Sequence, residues 1–253
     1  MPTSPELSIV IPVYNEPANI ALAVEALSKH VPVPYEIIVV YDFDEDTTVP
    51  VLRELEQRYA QVRGVRNSIA RGPSGALRTG FAHATAPLVL VTMADLCDDV
   101  SQIPQMLELV REGADLVTPS RYCAGGEQRL HGSLRLKAAA PRMAGRIIRL
   151  VSGLPTYDPT NSFKLYSASM LRNMPLRSTV SFSVTLEIVA KAHCLGYRIV
   201  EVPTTWRDRQ HGKTNFKMMR SLVMYTPWLF LTLLRGRIIR LPVKWLRRWL
   251  AVP

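Results

Sequence analysis

Residues 87–99 read PLVLVTMADLCDD, an apolar run that ends abruptly in three carboxylates. The run Leu88, Val89, Leu90 and Val91 shows no polar alternation, which is typical of a strand buried on both faces of a parallel sheet. Open α/β sheets bind ligands beyond the carboxyl ends of their strands. Carboxylates gathered there can hold a hard divalent cation against phosphate oxygens. The stretch therefore predicts a central strand that leads into a ligand site.

The three acids at the end of this run have two interpretations. Asp98 and Asp99 precede the helical pattern of Ile103–Val110, so they fit helix capping as well as metal binding. Asp95 lies nearer the strand and fits capping less well. We expect Asp95 to be the metal ligand, with Asp98 as a second candidate.

Strand-like and helix-like segments alternate along most of the chain. This alternation predicts βαβ units and an α/β fold with a mainly parallel sheet flanked by helices. The predicted strands are Leu7–Val13, Tyr35–Tyr41, Leu88–Thr92, Ala114–Pro119, Phe163–Tyr166 and Tyr197–Val202. The predicted helices are Pro17–Lys29, Thr47–Tyr59, Ser74–Ala84, Ile103–Val110, Ala138–Val151 and Ser181–Leu195. Between them, Arg121–Lys137 is predicted to be a long loop over the site.

Composition indicates a neutral body with a basic tail. The 253 residues are 47% hydrophobic, enough for the core of one large domain, and the net charge is +10. No acidic residue follows Asp208, whereas 209–253 hold ten Lys or Arg, so the tail carries the whole excess and an anionic partner is expected. Three cysteines without pairing or metal spacing indicate a reducing compartment, and the N-terminus predicts no secretory signal.

The tail has the features of a membrane-interface segment. Ser221–Leu234 is 14 residues without a charge, which is short for crossing a bilayer. Beyond it, basic residues share one helical arc opposite Trp and Leu, as in helices that lie in a membrane interface. The alternative is a helical hairpin docked on the body or on a second subunit. A nucleic-acid tail is disfavoured, because aromatic and aliphatic residues outnumber what phosphate binding needs.

Three further segments place polar residues or glycines near the same sheet edge. The first strand ends in IPVYNEPANI, residues 11–20, with turn and helix-capping chemistry as the alternative to ligand binding. The second strand ends in YDFDEDTT, residues 41–48, where a buried carboxylate could accept from a base or a ribose hydroxyl and where Asp46 also fits a cap. The stretch RGPSGALRTG, residues 71–80, suits a tight turn with close backbone approach.

Together these segments resemble the inverting family-2 glycosyltransferases, whose nucleotide-sugar domain has the Rossmann-like GT-A fold. Asp42 falls on the nucleoside-binding aspartate of that family, and residues 71–80 on its glycine-rich stretch. Other motifs resemble the polyprenyl-phosphate branch, to which the dolichol-phosphate mannosyltransferases belong. These are Ser120–Tyr122, Gly125–Gly126, Asp158–Tyr166 (DPTNSFKLY), Glu187, Glu201–Pro203 and Arg207–Thr214 (RDRQHGKT). The resemblance covers about residues 6–216.

The resemblance implies roles for individual residues. Nucleotide-sugar binding falls on Pro12, Tyr14, Glu16, Asp42, Gly75, Ala94 and Asp95. Acceptor-phosphate binding falls on Arg121, Arg135 and Lys164, and the catalytic set is Asp95, Arg121, Arg209 and Lys213. For Arg209 and Lys213 the alternative is a role as membrane-surface charge. The implied cofactor is Mg²⁺ or Mn²⁺, held by Asp95 with Asp98 as the second candidate.

Two motifs depart from the family pattern. The usual Asp-Ala-Asp-Leu-Gln is Met93-Ala94-Asp95-Leu96-Cys97 here, and Met93 cannot bind a hard cation. The usual Asp-Pro-Thr-Ser-Gly-Phe-Arg is DPTNSFK here, so Lys164 keeps the positive charge and loses the bidentate fork of arginine.

The resemblance and the tail together predict transfer of mannose or glucose, with inversion, from a GDP- or UDP-hexose to a polyprenyl phosphate. We expect a GT-A domain in residues 1–216, a membrane-associating tail in 217–253, and a location on the cytoplasmic face of a membrane. The tail is also compatible with assembly into an oligomer or with binding to a membrane partner. The alternatives are a family-2 transferase with a polysaccharide or soluble acceptor, and a non-catalytic nucleotide-sugar-binding membrane subunit.

Overall fold

The computed structural model describes residues 4–129, 139–207, 218–234 and 242–250. Its centre is a seven-stranded sheet in the order β3-β2-β1-β4-β7-β5-β8, beside a two-stranded sheet of β6 and β9. The strands are β1 Leu7–Pro12, β2 Tyr35–Tyr41, β3 Val62–Arg66, β4 Leu88–Val91, β5 Leu116–Ser120, β6 Glu127–Arg129, β7 Lys164–Ser167, β8 Ile199–Pro203 and β9 Thr205–Arg207.

Helices cover both faces of the large sheet. A 3₁₀ turn at Val100–Gln102 leads into the fourth of them. The helices are α1 Ile20–His30, α2 Thr48–Arg58, α3 Pro73–His83, α4 Ile103–Arg111, α5 Ala139–Ser152, α6 Ala168–Arg172, α7 Ser183–Leu195, α8 Met218–Leu234 and α9 Val243–Leu250.

Strand direction brings the candidate site residues to one edge. β1 pairs in parallel with β2 and β4, and β2 pairs in parallel with β3. β7 runs antiparallel between β4 and β5, so β4 and β5 point the same way, as does β8. Six strands therefore end at the edge where β7 begins, which is the edge where such sheets bind ligands.

The strands bury side chains on both faces, as the apolar runs predict. On one face, Val10 and Val89 pack with α3, α7, α8 and α9. On the other face, Ile9, Ile11 and Leu90 pack with α1, α2 and α4. The mainly parallel α/β fold is confirmed, and most predicted elements occur within a few residues of the expected bounds.

The sequence analysis missed four elements, which are the strands β3, β6 and β9 and the short helix α6. β3 contains Arg63, Gly64 and Arg66 and lies at the edge of the sheet, where one-sided exposure permits charged residues. The predicted loop 121–137 contains β6, which pairs with β9 through three residues on each strand. Residues 130–137 of that loop lie outside the described residues.

The described tail helices pack on the body. Leu231 of α8 and Leu246 and Leu250 of α9 are buried in the core cluster that contains α7. This inward packing agrees with the docked-hairpin alternative, and membrane contact by the outer faces stays a prediction. Within the described ranges, no helix has the length and apolar character required to span a bilayer. The predicted domain boundary at residues 216–217 falls between described segments.

Replacing Gly80 with Ala tests the packing of α3 on the sheet. A Cβ at Gly80 would lie 2.2 Å from Cγ1 of Val10 on β1, a neighbour held in the middle of the core. Helix propensity alone favours Ala over Gly by about 0.5–1 kcal/mol. We nevertheless expect Gly80→Ala to lower the free energy of unfolding by about 1–3 kcal/mol, because core overpacking outweighs propensity.

Urea unfolding measures the change, with Ala82→Ser on the exposed side of the same helix as the control. A more stable Gly80→Ala protein would contradict this packing.

Candidate functional site

Strained backbone marks the loops around this sheet edge. In the described chain, three non-glycine residues have positive φ: Asn15 (53°), Leu96 (60°) and Ser181 (52°). Asn15 follows β1, Leu96 follows β4, and Ser181 accepts a hydrogen bond from Ser74 at the start of α3. Such conformations persist where the surroundings over-determine them, and they cluster at functional sites.

Asp42, which follows β2 directly, ties three segments together. Its Oδ1 accepts from Asn67 Nδ2 at 2.6 Å, and its Oδ2 accepts from the backbone N–H of Gly72 at 2.8 Å. Gly72 has φ of 102°, which favours glycine, and it precedes α3. The sequence predicted Asp42 as a site residue and missed Asn67, because Asn67 follows the edge strand β3 that was itself missed.

The loops after β1 and β2 are locked to each other. The Asp46 carboxylate accepts from the backbone N–H of Asn15 at 3.1 Å and from that of Thr48, the first residue of α2, at 2.8 Å. The N-cap residue of α2 is Thr47, one position after the predicted cap. Tyr14 is 52% exposed and meets the ring of Phe43 edge to face, with centroids 5.7 Å apart. This aromatic pair offers an apolar surface beside Asp42, and the sequence analysis did not identify Phe43.

The other predicted nucleotide-sugar residues lie on the same loops. Pro12 is buried at the end of β1, and Glu16 accepts from Asn19 Nδ2 at 2.7 Å. A Cβ at Gly75 would lie 1.7 Å from the carbonyl oxygen of Ala70, so this turn requires glycine for its own backbone packing. Contact of these residues with a nucleotide stays a prediction.

The acids after β4 have separate roles. Asp99 accepts from the backbone N–H of Ser101 at 3.3 Å and caps the 3₁₀ turn, as one interpretation predicts. Asp98 accepts from Thr92 Oγ1 at 2.9 Å and from the backbone N–H of Met93 at 3.2 Å, so it braces the end of β4. Burial and the negative charge of Asp95 raise the pKa of Asp98 to about 7.

Asp95 and Asp98 fit a hard divalent cation that takes few of its ligands from the protein. Mg²⁺ is commonly bound by one or two carboxylates plus substrate phosphates. Asp95 and Asp98 are close enough for their charges to oppose each other, which a divalent cation would relieve. Among the described residues, no cluster of three or more His, Cys, Asp or Glu side chains could hold a metal by itself. A cation here would therefore need phosphate oxygens as further ligands.

Arg121 is fixed beside these acids by a buried partner. Asp158 is fully buried, and its two oxygens accept from Arg121 Nε at 2.6 Å and from Nη2 at 2.9 Å. Burial opposes the charged guanidinium, yet the adjacent Asp158 carboxylate outweighs it, and the pKa of Arg121 is raised. The positive charge of Arg121 also attracts the carboxylate of Asp98. The residue after β5 therefore acts electrostatically on the loop after β4.

Lys164 differs from its predicted position at the acceptor phosphate. Its side chain is fully buried at the start of β7, and Nζ donates to the backbone carbonyl oxygens of Asn161 and Asp158. Burial is the largest influence on its pKa, which is lowered to about 7. Its ammonium group therefore supports the loop that carries Asp158.

Three predicted cationic residues, Arg135, Arg209 and Lys213, lie outside the described residues. The structure does describe Arg207, whose backbone N–H donates to the carbonyl oxygen of Cys97 at 3.1 Å. Arg207, the last described residue before this basic segment, thus lies beside the loop that carries Asp95.

Comparison with known proteins gives relatives in sequence. A dolichol-phosphate mannosyltransferase of Pyrococcus furiosus is 29% identical over 233 residues, covering 88% of this chain and 64% of that protein. An undecaprenyl-phosphate 4-deoxy-4-formamido-L-arabinose transferase of Edwardsiella ictaluri is 28% identical over 231 residues, covering 87% and 66%. The chain thus spans just under two thirds of the length of these relatives.

Comparison with solved structures supports the fold. Glucosyl-3-phosphoglycerate synthase of Mycobacterium tuberculosis, in complex with Mg²⁺ and UDP, superposes with a TM-score of 0.64 at 20% identity. The match covers 91% of this chain and 79% of that one. The complex of the same enzyme with Mn²⁺, UDP and glucosyl-3-phosphoglycerate gives a TM-score of 0.63 at 19% identity.

The family model described as glycosyl transferase family 2 matches residues 8–174, which include the strand ends that carry Asp42, Asp95, Arg121 and Asp158. With this match over more than half of its length, the chain belongs to glycosyl transferase family 2.

Proposed function

We propose that the protein transfers a hexose from a nucleotide sugar to a polyprenyl phosphate, with inversion at the anomeric carbon. The observation that carries the proposal is the Arg121 guanidinium, held by buried Asp158 at the sheet edge where Asp95 and Asp98 also lie. One edge thus combines carboxylates for a cation with a fixed cation for a phosphate. The two relatives are named as transferases of sugars to dolichol phosphate and undecaprenyl phosphate, which supports this acceptor class.

The chemistry requires positioning of anions more than proton transfer. A phosphate oxygen attacks the anomeric carbon while the bond from that carbon to the nucleoside diphosphate oxygen breaks. The acceptor phosphate is already ionised near neutral pH, so no protein group has to remove a proton. Arg121 would hold the acceptor phosphate, and Arg135, Arg209 and Lys213 would add positive charge around the two anions.

The donor would lie along the ends of β1, β2 and β4. In this assignment Asp42 faces the nucleoside, the Tyr14–Phe43 pair offers an apolar surface to the base, and Asp95, with Asp98, would hold Mg²⁺ or Mn²⁺. When bound, the cation would neutralise charge on the departing diphosphate. The structures of the M. tuberculosis enzyme with Mg²⁺ or Mn²⁺ and UDP support this use of the fold.

An apolar outer face supports a lipid-bound acceptor. Met143, Ile147 and Leu150 of α5 are 61%, 55% and 67% exposed and lie on one side of the helix. Phe230 of α8, a helix that packs beside α5, is 59% exposed, and Trp245 of α9 is 66% exposed. Exposed arginines also lie on α5, at positions 142 and 146, and exposed basic residues lie on α9, at positions 244, 247 and 248. Apolar side chains among cations match an anionic lipid surface, in line with peripheral association at the cytoplasmic face.

Asp95→Asn tests the site assignment. With a radiolabelled GDP- or UDP-hexose, polyprenyl phosphate and Mg²⁺ or Mn²⁺, we expect a labelled lipid-phosphate glycoside from the natural protein. We expect Asp95→Asn to lower kcat about 100-fold or more, since it weakens cation binding where charge develops.

Asp99→Asn is the matched control, because Asp99 lies in the same loop and only caps a turn. Its activity should stay within about twofold of the natural protein, and Met93→Asp should lower the metal concentration needed for half-maximal rate. Full activity of Asp95→Asn would contradict the metal assignment. Absence of lipid product, with transfer to a soluble acceptor, would contradict the acceptor class.

Ile147→Asp tests the membrane face. Transfer of this exposed side chain into lipid is worth about 1.5–3 kcal/mol, so its loss should weaken binding to vesicles by about tenfold. Cosedimentation with phosphatidylcholine vesicles, with and without phosphatidylglycerol, measures the effect, and high salt should weaken binding to the anionic vesicles.

The control for this experiment is Leu22→Asp, which makes the same kind of change at an exposed position of α1 on the opposite side of the sheet. Equal binding by Ile147→Asp and the natural protein would remove α5 from the membrane face.

Lys164→Met tests the buried position of this lysine through the pH dependence of stability. The pKa of Lys164 is lowered to about 7 in the folded protein, from the value of 10.5 for a lysine in an unfolded chain. Between these values the unfolded chain binds more protons, so stability conferred at this position rises with pH. Relative to Lys164→Met, the natural protein should gain up to roughly 2 kcal/mol between pH 7 and pH 9. Urea unfolding at both pH values measures this difference. If the free energies of unfolding of the two proteins changed equally between pH 7 and pH 9, Lys164 would be solvated and the buried position would be wrong.

A further inference from the structure

A buried ion pair in α7 takes no part in the chemistry proposed above. Lys191 Nζ lies 2.6 Å from Glu187 Oε1, one turn apart, and the two side chains are 1% and 0% exposed. Burial lowers the pKa of Lys191, so the charged form is held against a desolvation penalty. Buried pairs of this kind are weak contributors to stability, and their retention calls for another role.

The pair holds the chain that precedes α7. The two carboxylate oxygens of Glu187 accept from the backbone N–H groups of Arg177 and Ser178, each at 2.8 Å. Lys191 Nζ also donates to the carbonyl oxygen of Pro175. The loop of residues 175–181 is therefore fixed on α7 by charged groups.

This loop in turn holds the start of α3. Ser74 Oγ donates to the carbonyl oxygen of Ser181 at 2.7 Å and accepts from the backbone N–H of Val184 at 3.2 Å. Arg78 Nη1 donates to the carbonyl oxygen of Ser178 at 3.3 Å. Two residues before Ser74, Gly72 donates its N–H to Asp42, the nucleoside-side carboxylate.

The other side of the pair meets the tail. Lys191 Nζ lies 5.2 Å from the ring centroid of Trp228 in α8. One turn further along each helix, Cys194 Sγ lies 3.3 Å from the carbonyl oxygen of Leu231. A continuous set of contacts thus leads from α8 through the ion pair and the loop 175–181 to α3 and Asp42.

We propose that Glu187 and Lys191 are positioning residues for the donor nucleotide, and that Trp228 links them to the tail. This inference rests on the proposed function, since it takes Asp42 and the start of α3 as the donor side. The ion pair fixes the position of the loop 175–181, and this loop fixes the start of α3. The start of α3 in turn positions the backbone N–H of Gly72, which orients Asp42. Seating of α8 on the body is thereby coupled to nucleotide affinity.

The double variant Glu187→Gln with Lys191→Met tests this role. Replacing both partners by uncharged groups of similar size leaves no unpaired buried charge, so the melting temperature should stay within a few degrees of the natural value. A glutamine oxygen can accept one of the two loop N–H groups, and its NH₂ group cannot accept the other. We expect a dissociation constant for UDP or GDP, with Mg²⁺, about five- to tenfold higher by calorimetry.

Two further readouts separate positioning from a general loss of structure. Amide hydrogen exchange of the ligand-free variant should become faster in residues 70–76 as well as in 175–181. The control Met106→Ala, in the core of the opposite sheet face, should lower the melting temperature without changing nucleotide affinity. Unchanged affinity in the double variant, or loosening confined to 175–181, would overturn the proposal.

Trp228 provides an independent test of the link to the tail. Trp228→Phe keeps a ring over Lys191, whereas Trp228→Leu removes it. We expect Trp228→Leu to raise the nucleotide dissociation constant about threefold, and Trp228→Phe to stay near the natural value. Equal affinities for both would overturn the link.

The test also distinguishes this inference from the proposed function. Failure of the natural protein to bind either UDP or GDP would overturn both. Intact nucleotide binding that responds to these variants, without transfer to polyprenyl phosphate, would support the inference and contradict only the acceptor class.

Discussion

The pairing of Asp158 with Arg121 is the interaction on which the site depends. A carboxylate without solvent contact is stable as an anion only when its oxygens are fully paired. Arg121 supplies two side-chain N–H groups, and its backbone N–H adds a third bond at 3.2 Å. Since Arg121 directly follows β5 and Asp158 precedes β7, the pair fixes an antiparallel strand within an otherwise parallel sheet. It also holds one cation at the edge where the other strands end.

Charge around this pair is balanced within a small volume. Asp95 and Asp98 oppose each other on one side, while Arg121 and buried Lys164 repel on the other. Each group is therefore sensitive to a ligand of opposite sign. A cation at the acids and an anion at the guanidinium would each relieve a repulsion that already exists in the free protein.

The sequence was informative where chemistry and periodicity coincide. Uninterrupted apolar runs identified the strands buried on both faces, and the acids that follow them identified the ligand edge. It was less informative where tertiary contacts decide. Asp98 and Asp99 look equivalent in sequence, yet one braces a strand end and the other caps a turn. Asn67 and Phe43 could not be singled out, since each gains significance only from a partner on another segment.

The small parallel sheet of β6 and β9 has a consequence for the positive charge on its own strand ends. Arg129 at the end of β6 is the register partner of Arg207 at the end of β9, and paired strands lie about 4.8 Å apart. Arg129 and Arg207 therefore lie side by side, although they belong to distant parts of the sequence. Like charges on neighbouring strand ends repel each other, so an anion bound beside them would act as their counterion and stabilise this strand pair.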